Sequence, residues 1–251
     1  MLHSFELFGI TLYPFYLCAL AGMIIFFALS LRRAAKTGEA GYLFPKLLVS
    51  CLAGVSGAFV YDVFFKYIET GEAVLGGISF YGGLIFGAAA FWLTAKNGGY
   101  SSKTPLEWLD TLTVPFCAFH FCGRIGCFLG GCCYGTETES ALGVYFPDIP
   151  EEGVFHNGAK CFPTQLFEAA AILAIALLLA TALKKHAFMN YLILYPTCRF
   201  FLEFLRGDDR GATGLGLSPS QLVSVLLLVV PAAYYLAPAL RDKSSLNKGS
   251  K

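Results

Sequence analysis

The chain has 251 residues, 56% of them hydrophobic and only 14% charged, and its mean hydropathy of +0.62 lies well on the apolar side of an ordinary soluble domain. A formal net charge of +1 and the patterning below it offer nothing that points to nucleic acid. The composition is that of a membrane protein.

A spanning helix needs roughly 20 mostly apolar residues. Seven stretches approach that length, at about 10–31, 43–65, 78–95, 109–129, 164–183, 188–205 and 218–240. The predicted fold class is therefore all-α, a polytopic bundle of about seven transmembrane helices forming one domain over 1–241. One sizeable extramembrane loop is expected at 130–163, and the polar tail at 242–251 is predicted to be disordered. The first segment lacks a basic n-region and a convincing small-residue cleavage site, so it reads as a retained helix.

Lys and Arg cluster after alternate segments: Arg32, Arg33, Lys36 and Lys46, then Lys96 and Lys103, then Lys184 and Lys185, then Arg241, Lys243, Lys248 and Lys251. The intervening connections hold Glu69, Glu72, Glu137, Glu139, Asp148, Glu151, Glu152, Asp208 and Asp209 with few cations. The positive-inside rule then places the N-terminus outside, the C-terminus in the cytoplasm and the 130–163 loop on the extracytoplasmic side.

Four of the nine cysteines, Cys18, Cys51, Cys117 and Cys198, fall inside predicted helices, where cysteine behaves as a small hydrophobe. Cys122, Cys127, Cys132, Cys133 and Cys161 lie near or beyond the outer face. A disulfide from Cys161 to Cys132 or Cys133 is one reading there, and simple packing is the other. No metal site is expected. Cys122 and Cys127 fall about 140° apart on a helix, and adjacent Cys132 and Cys133 match no CxxC spacing.

The informative residues are charges inside apolar runs, because an arginine at the centre of a spanning helix costs about 2.5–3.5 kcal/mol on insertion scales. Arg124 lies in the fourth segment. In the sixth, "CRFFLEFLRGDDRG" sets Arg199, Glu203 and Arg206 at i, i+4 and i+7, one helical face. An Arg199–Glu203 ion pair would help that helix insert but leaves Arg124 unexplained. Several guanidinium groups at headgroup depth suit a phosphate, which they bind bidentately. Small residues flank both sites: Gly123, Gly126, Gly130 and Gly131 beside Arg124, and Gly82 and Gly83 in "YGGLIFG". They either allow close helix packing or let a headgroup reach backbone N–H groups. Gln165 and Glu168 open the fifth helix after Pro163, with Thr164 a possible N-cap. Glu168 is either a charge favoured by the helix dipole or a polar cavity wall. His120 shares the face of Arg124, as a buried satisfied histidine or as a proton acceptor.

At "GRIGCFLGGCCYG" the sequence resembles the prolipoprotein diacylglyceryl transferase family, whose signature begins Gly-Arg-x-Gly, here Gly123 to Gly126, and closes on Tyr134-Gly135. "FYGGLIFG", "PTQLFEA" and "RFFLEFLRGDD" are similar to further family blocks in the same order. Two positions depart: Tyr81 stands where the family has a histidine before Gly-Gly, and Cys127 where it has an asparagine. The resemblance implies a bacterial inner-membrane enzyme that moves the diacylglyceryl group of phosphatidylglycerol to the lipobox cysteine of a preprolipoprotein, releasing glycerol 1-phosphate, with no cofactor. Within that reading the catalytic candidates are Arg124 and Arg199 on the phosphate, Glu203 orienting Arg199, Tyr81 bonding a lipid oxygen and His120 replacing the missing histidine, with substrate contacts from Gly82, Gly83, Gly126, Cys127, Gln165 and Glu168 and from Arg206 at the outer rim. A transferase with another acceptor and a non-catalytic phospholipid-binding or transport protein are the rival readings.

Overall fold

The computed structural model describes residues 4–7, 10–73, 77–148, 158–207 and 216–248. Among them are seven α-helices: α1 (Pro14–Ala35), α2 (Ala40–Thr70), α3 (Phe80–Asn97), α4 (Pro105–Gly130), α5 (Thr164–Thr181), α6 (Ala187–Leu202) and α7 (Pro219–Lys248). Five contain stretches long and apolar enough to cross a membrane: Pro14–Ala35, Ala40–Ile68, Pro105–Gly130, Thr164–Thr181 and Pro219–Ala237. The other two fall short of that test. α3 has 18 residues diluted by Gly82, Gly83 and Gly87 and ends in Lys96 and Asn97, while α6 has only 16.

The helix starts follow local chemistry that hydropathy alone does not resolve. Pro14 occupies the first turn of α1, where a missing N–H is harmless. Residues 10–12 before it, expected as helix, instead form strand β2 (Ile10–Leu12), which pairs antiparallel with β1 (Phe5–Leu7). α4 opens on a capping box, in which the Thr104 side chain accepts from Glu107 N–H and the Glu107 carboxylate accepts from Thr104 N–H, with Pro105 behind it. Thr164 does not cap α5; it is the first helical residue, and its hydroxyl donates to Cys133 O. The tail expected to be disordered continues α7 as helix to Lys248.

α4 is the hub, packed against α1, α3, α5 and α6. Of its apolar window 44% is buried, against 17–39% for the other four spans. Its faces join two apolar clusters, one around Tyr81, Cys117, Ile172, Tyr191 and Tyr195, the other around Phe26, Leu47, Phe91, Trp108 and Leu112. The opposite faces of α1, α2, α5 and α7 expose Leu20, Ile24, Leu52, Leu177 and Val229, as expected of surfaces whose solvent is lipid.

The described parts of the 130–163 loop tie the end of α4 to the start of α5 and the end of α6. Gly135 N–H donates to Phe162 O, Thr136 N–H to Leu205 O and Gly207 N–H to Tyr134 O. A short antiparallel pair, β3 (Val144–Tyr145) with β4 (Lys160–Cys161), completes the described arm.

Two of the candidate glycines serve helix contact. A Cβ at Gly82 would meet Gly57 O and the Tyr61 side chain of α2, and one at Gly126 would lie 2.9 Å from Cys18 Cβ and 3.2 Å from the Phe15 backbone of α1. Neither flank is open to a headgroup. At Gly123 a Cβ would meet nothing within 4 Å. Gly82→Val is therefore expected to destabilise the protein by about 1–3 kcal/mol through overpacking, read as a lower melting temperature in detergent. Gly123→Ala should melt like the wild type.

Candidate active site

Three helices meet at one carboxylate. Glu168 of α5 is 2% exposed, and its Oε1 lies 3.1 Å from Arg124 Nε of α4 and accepts a 2.7 Å hydrogen bond from the Tyr195 hydroxyl of α6. His120, one turn before Arg124, places Nε2 at 3.7 Å from the same oxygen. Its Nδ1 is 3.1 Å from the Tyr191 hydroxyl, and its ring stacks on Phe80 with centroids 3.7 Å apart. Among the described residues His120 Nε2 has no hydrogen-bond partner. Glu168 is thus neither a helix-dipole charge nor a residue lining the cavity described below. It is the buried counterion that lets Arg124 sit in an apolar layer.

The second cluster gathers around Glu203. Arg199 Nη1 lies 2.5 Å from Glu203 Oε2, and Arg206 Nε lies 3.9 Å from it. The hydroxyl of Ser218 donates to Glu203 Oε1, and Arg199 Nη2 donates to Ser220 Oγ at the start of α7. The expected helical face joins Arg199 to Glu203 at i, i+4 but does not continue to Arg206. The helix tightens into a 3₁₀ turn at Glu203–Leu205, and Arg206 is extended, bridging backbone to Gly135. The Arg206 side chain is 4% exposed, so it is held within the protein and not at a rim. The "GDDRG" acids Asp208 and Asp209 lie outside the described residues.

Between α1, α2, α3, α4 and α6 lies a cavity of about 360 Å³ with mostly apolar walls. Arg124 and Arg199 supply its cations, and Tyr81, Gly83, His120 and Cys127 also line it. Gln165, Glu168, Glu203, Arg206, Gly82 and Gly126 do not. Gln165 supports the site from behind, donating from Nε2 to Cys132 O. Tyr81 is committed: the Ser224 hydroxyl donates to Ser220 O, which makes the Tyr81 hydroxyl the donor in its 2.5 Å bond to Ser224 Oγ. Tyr191, Tyr195, Ser218 and Ser220 are site residues that sequence reasoning missed. The tyrosines sit in an apolar run that reads only as a span.

All nine cysteines are thiols, and Cys161 is buried on β4, not bonded to Cys132 or Cys133. Burial and the nearby Glu137 charge raise its pKa, which keeps it protonated. The spacing argument against a cysteine cluster also fails, since the Sγ atoms of Cys127, Cys132 and Cys133 all lie within 4.8 Å of one another.

A helical bundle with membrane-length apolar helices and two buried arginines facing one apolar cavity has the architecture of an integral membrane protein. The chain matches the family described as Prolipoprotein diacylglyceryl transferase over residues 3–237. It is 30% identical over 237 residues to Phosphatidylglycerol--prolipoprotein diacylglyceryl transferase 2 of Clostridium perfringens, covering 89% of this chain and 90% of that protein. Similarity to the Clostridium tetani transferase is 30% over 240 residues, covering 90% and 93%, and to that of Chlorobaculum tepidum 33% over 165 residues, covering 61% and 53%. The chain belongs to the prolipoprotein diacylglyceryl transferase family.

Removing one member of a buried ion pair costs about 3–5 kcal/mol, whereas replacing both by apolar residues of similar volume is often neutral. Glu168→Leu is accordingly expected to lower stability by about that amount, and Arg124→Met/Glu168→Leu to recover most of it. Denaturation of the three proteins in one detergent checks this.

Proposed function

We propose that this protein transfers the diacylglyceryl group of phosphatidylglycerol to the thiol of a lipobox cysteine in a preprolipoprotein and releases glycerol 1-phosphate. The observation that carries the reading is the pair of arginines, Arg124 and Arg199, facing one apolar cavity from different helices. Membership in the family supplies the substrates, which its relatives' names state.

Sulfur attacks a glyceryl carbon, the carbon–oxygen bond to phosphate breaks, and the phosphate leaves with an additional negative charge. Fixed guanidinium groups in a site of low dielectric stabilise that charge without reorganising. Arg124 and Arg199 take this role. Glu168 and Tyr195 orient Arg124, and Glu203 and Ser220 orient Arg199. Gly83 and Cys127 form headgroup walls, while Gln165 and Arg206 hold the loop and the end of α6 around the site.

A thiol with a reference pKa near 8.5 is only a few per cent ionised at neutral pH, so it needs a proton acceptor. His120 Nε2 takes that proton in our reading. With Nδ1–H donating to Tyr191, the imidazolium formed would face the Glu168 carboxylate. Tyr81, whose hydroxyl is committed to Ser224, packs α3 against α7 and is no base.

The seven helices are read as seven spans, with the N-terminus outside, the C-terminus cytoplasmic and the 130–163 loop extracytoplasmic, in one domain over 1–241. The basic clusters after alternate helices support this arrangement in the bacterial inner membrane. α3 and α6 are then short spans of 18 and 16 residues.

The experiment follows glycerol phosphate release and peptide modification in proteoliposomes containing phosphatidylglycerol. Arg124→Lys keeps the charge but loses the bidentate fork, and kcat is expected to fall at least about 100-fold. His120→Ala should lose about 10²–10⁴-fold in protein that remains folded. Undiminished transfer in either variant would remove that residue from the mechanism.

A further inference from the structure

The thiols at the end of α4 converge in a cluster that takes no chemical part in the transfer reaction, although Cys127 and Cys133 also line its cavity. We propose that Cys127, Cys132 and Cys133 bind one thiophilic d¹⁰ cation, of the Zn²⁺ class, with an open coordination position facing the cavity.

The geometry arises from how α4 stops. Gly131 is left-handed, with φ 75°, and Cys132 N–H donates back to Cys127 O at 3.2 Å, reversing the chain over the last helical turn. Cys133 is itself left-handed at φ 67°, a conformation that L-residues rarely adopt. Together these two residues return Cys132 and Cys133 to the helix end that carries Cys127. Spacing arguments miss this because the three thiols converge across a turn, not along a helix or a CxxC knuckle.

The three sulfurs lie within 4.8 Å of one another. Zinc–sulfur bonds of about 2.3 Å in a tetrahedron separate sulfurs by roughly 3.8 Å, so an inward movement of about 1 Å or less closes the site. Its backbone is fixed from outside, by Gln165 Nε2 donating to Cys132 O at 2.6 Å and Thr164 Oγ1 donating to Cys133 O at 2.7 Å. Three sulfur ligands and no carboxylate select a soft cation over Mg²⁺ or Ca²⁺. Cys127 and Cys133 line the cavity with Arg124. Three protein ligands leave the fourth position open on that side, the arrangement of a zinc site that accepts an exogenous ligand. Binding releases three thiol protons, and the resulting thiolate–cation group carries one net negative charge beside Arg124.

The test is titration of the full-length protein, purified in detergent with reductant, first with Co²⁺ and then with Zn²⁺. The expected result is one equivalent of Co²⁺ giving sulfur-to-cobalt charge-transfer absorption and tetrahedral visible bands, both displaced by Zn²⁺. Cys132→Ser and Cys133→Ser should each weaken binding by at least about 10-fold, while Cys161→Ser and Cys198→Ser leave it unchanged. Absence of the bands in the wild type, or their survival in a folded Cys132→Ser/Cys133→Ser protein, would overturn the proposal. So would a disulfide among the three in the reduced protein. None of these readouts depends on transferase activity.

Discussion

The contact between Arg124 and Glu168 is the constraint on which the remainder of the site depends. A guanidinium in an apolar layer needs an anion, and the anion comes from a different helix. Once Glu168 is spent on Arg124, its oxygen also fixes Tyr195 and faces His120. One carboxylate therefore sets the mutual positions of α4, α5 and α6. The desolvation of such a pair is expensive, and its arrangement is maintained only while hydrogen bonds satisfy the rest of each group. The result is a cation held in place before any anion arrives, which is the condition for electrostatic catalysis in a dry site.

The second arginine is held by an independent device. Arg199 is fastened within its own helix to Glu203 and across to Ser220 of α7, while Ser218 holds the far oxygen of Glu203. The change from α-helix to 3₁₀ turn at Glu203 lets the chain leave the bundle and pair with Gly135. That pairing closes the loop over the end of the bundle where both arginines lie. Gly82 and Gly126 contribute at a distance, by letting α2 approach α3 and α1 approach α4.

Apolar stretches located every helix, because burial in protein or lipid is a property of composition and survives any error in boundaries. The exact starts required local chemistry: Pro14 ends the expected helix early on its N-terminal side, and Thr104 with Glu107 caps α4 before the apolar run begins. Arg199 and Glu203 could be paired from spacing alone, being neighbours on one helix. Arg124 and Glu168 could not, because 44 residues and a loop separate them in sequence and neither helix specifies its facing partner. Tyr191 and Tyr195 carry hydroxyls that apolar periodicity counts as core. The cysteine cluster was invisible for a further reason: two left-turning positions on either side of Cys132, Gly131 and Cys133, fold it back on itself.

The most direct measurement is a product balance for the wild-type protein in proteoliposomes, with phosphatidylglycerol labelled in both the diacylglyceryl and the headgroup portions and a lipobox peptide as acceptor. The account predicts thioether-modified peptide and glycerol 1-phosphate in equal amounts. Neither product, from folded protein shown to bind the lipid, would contradict it.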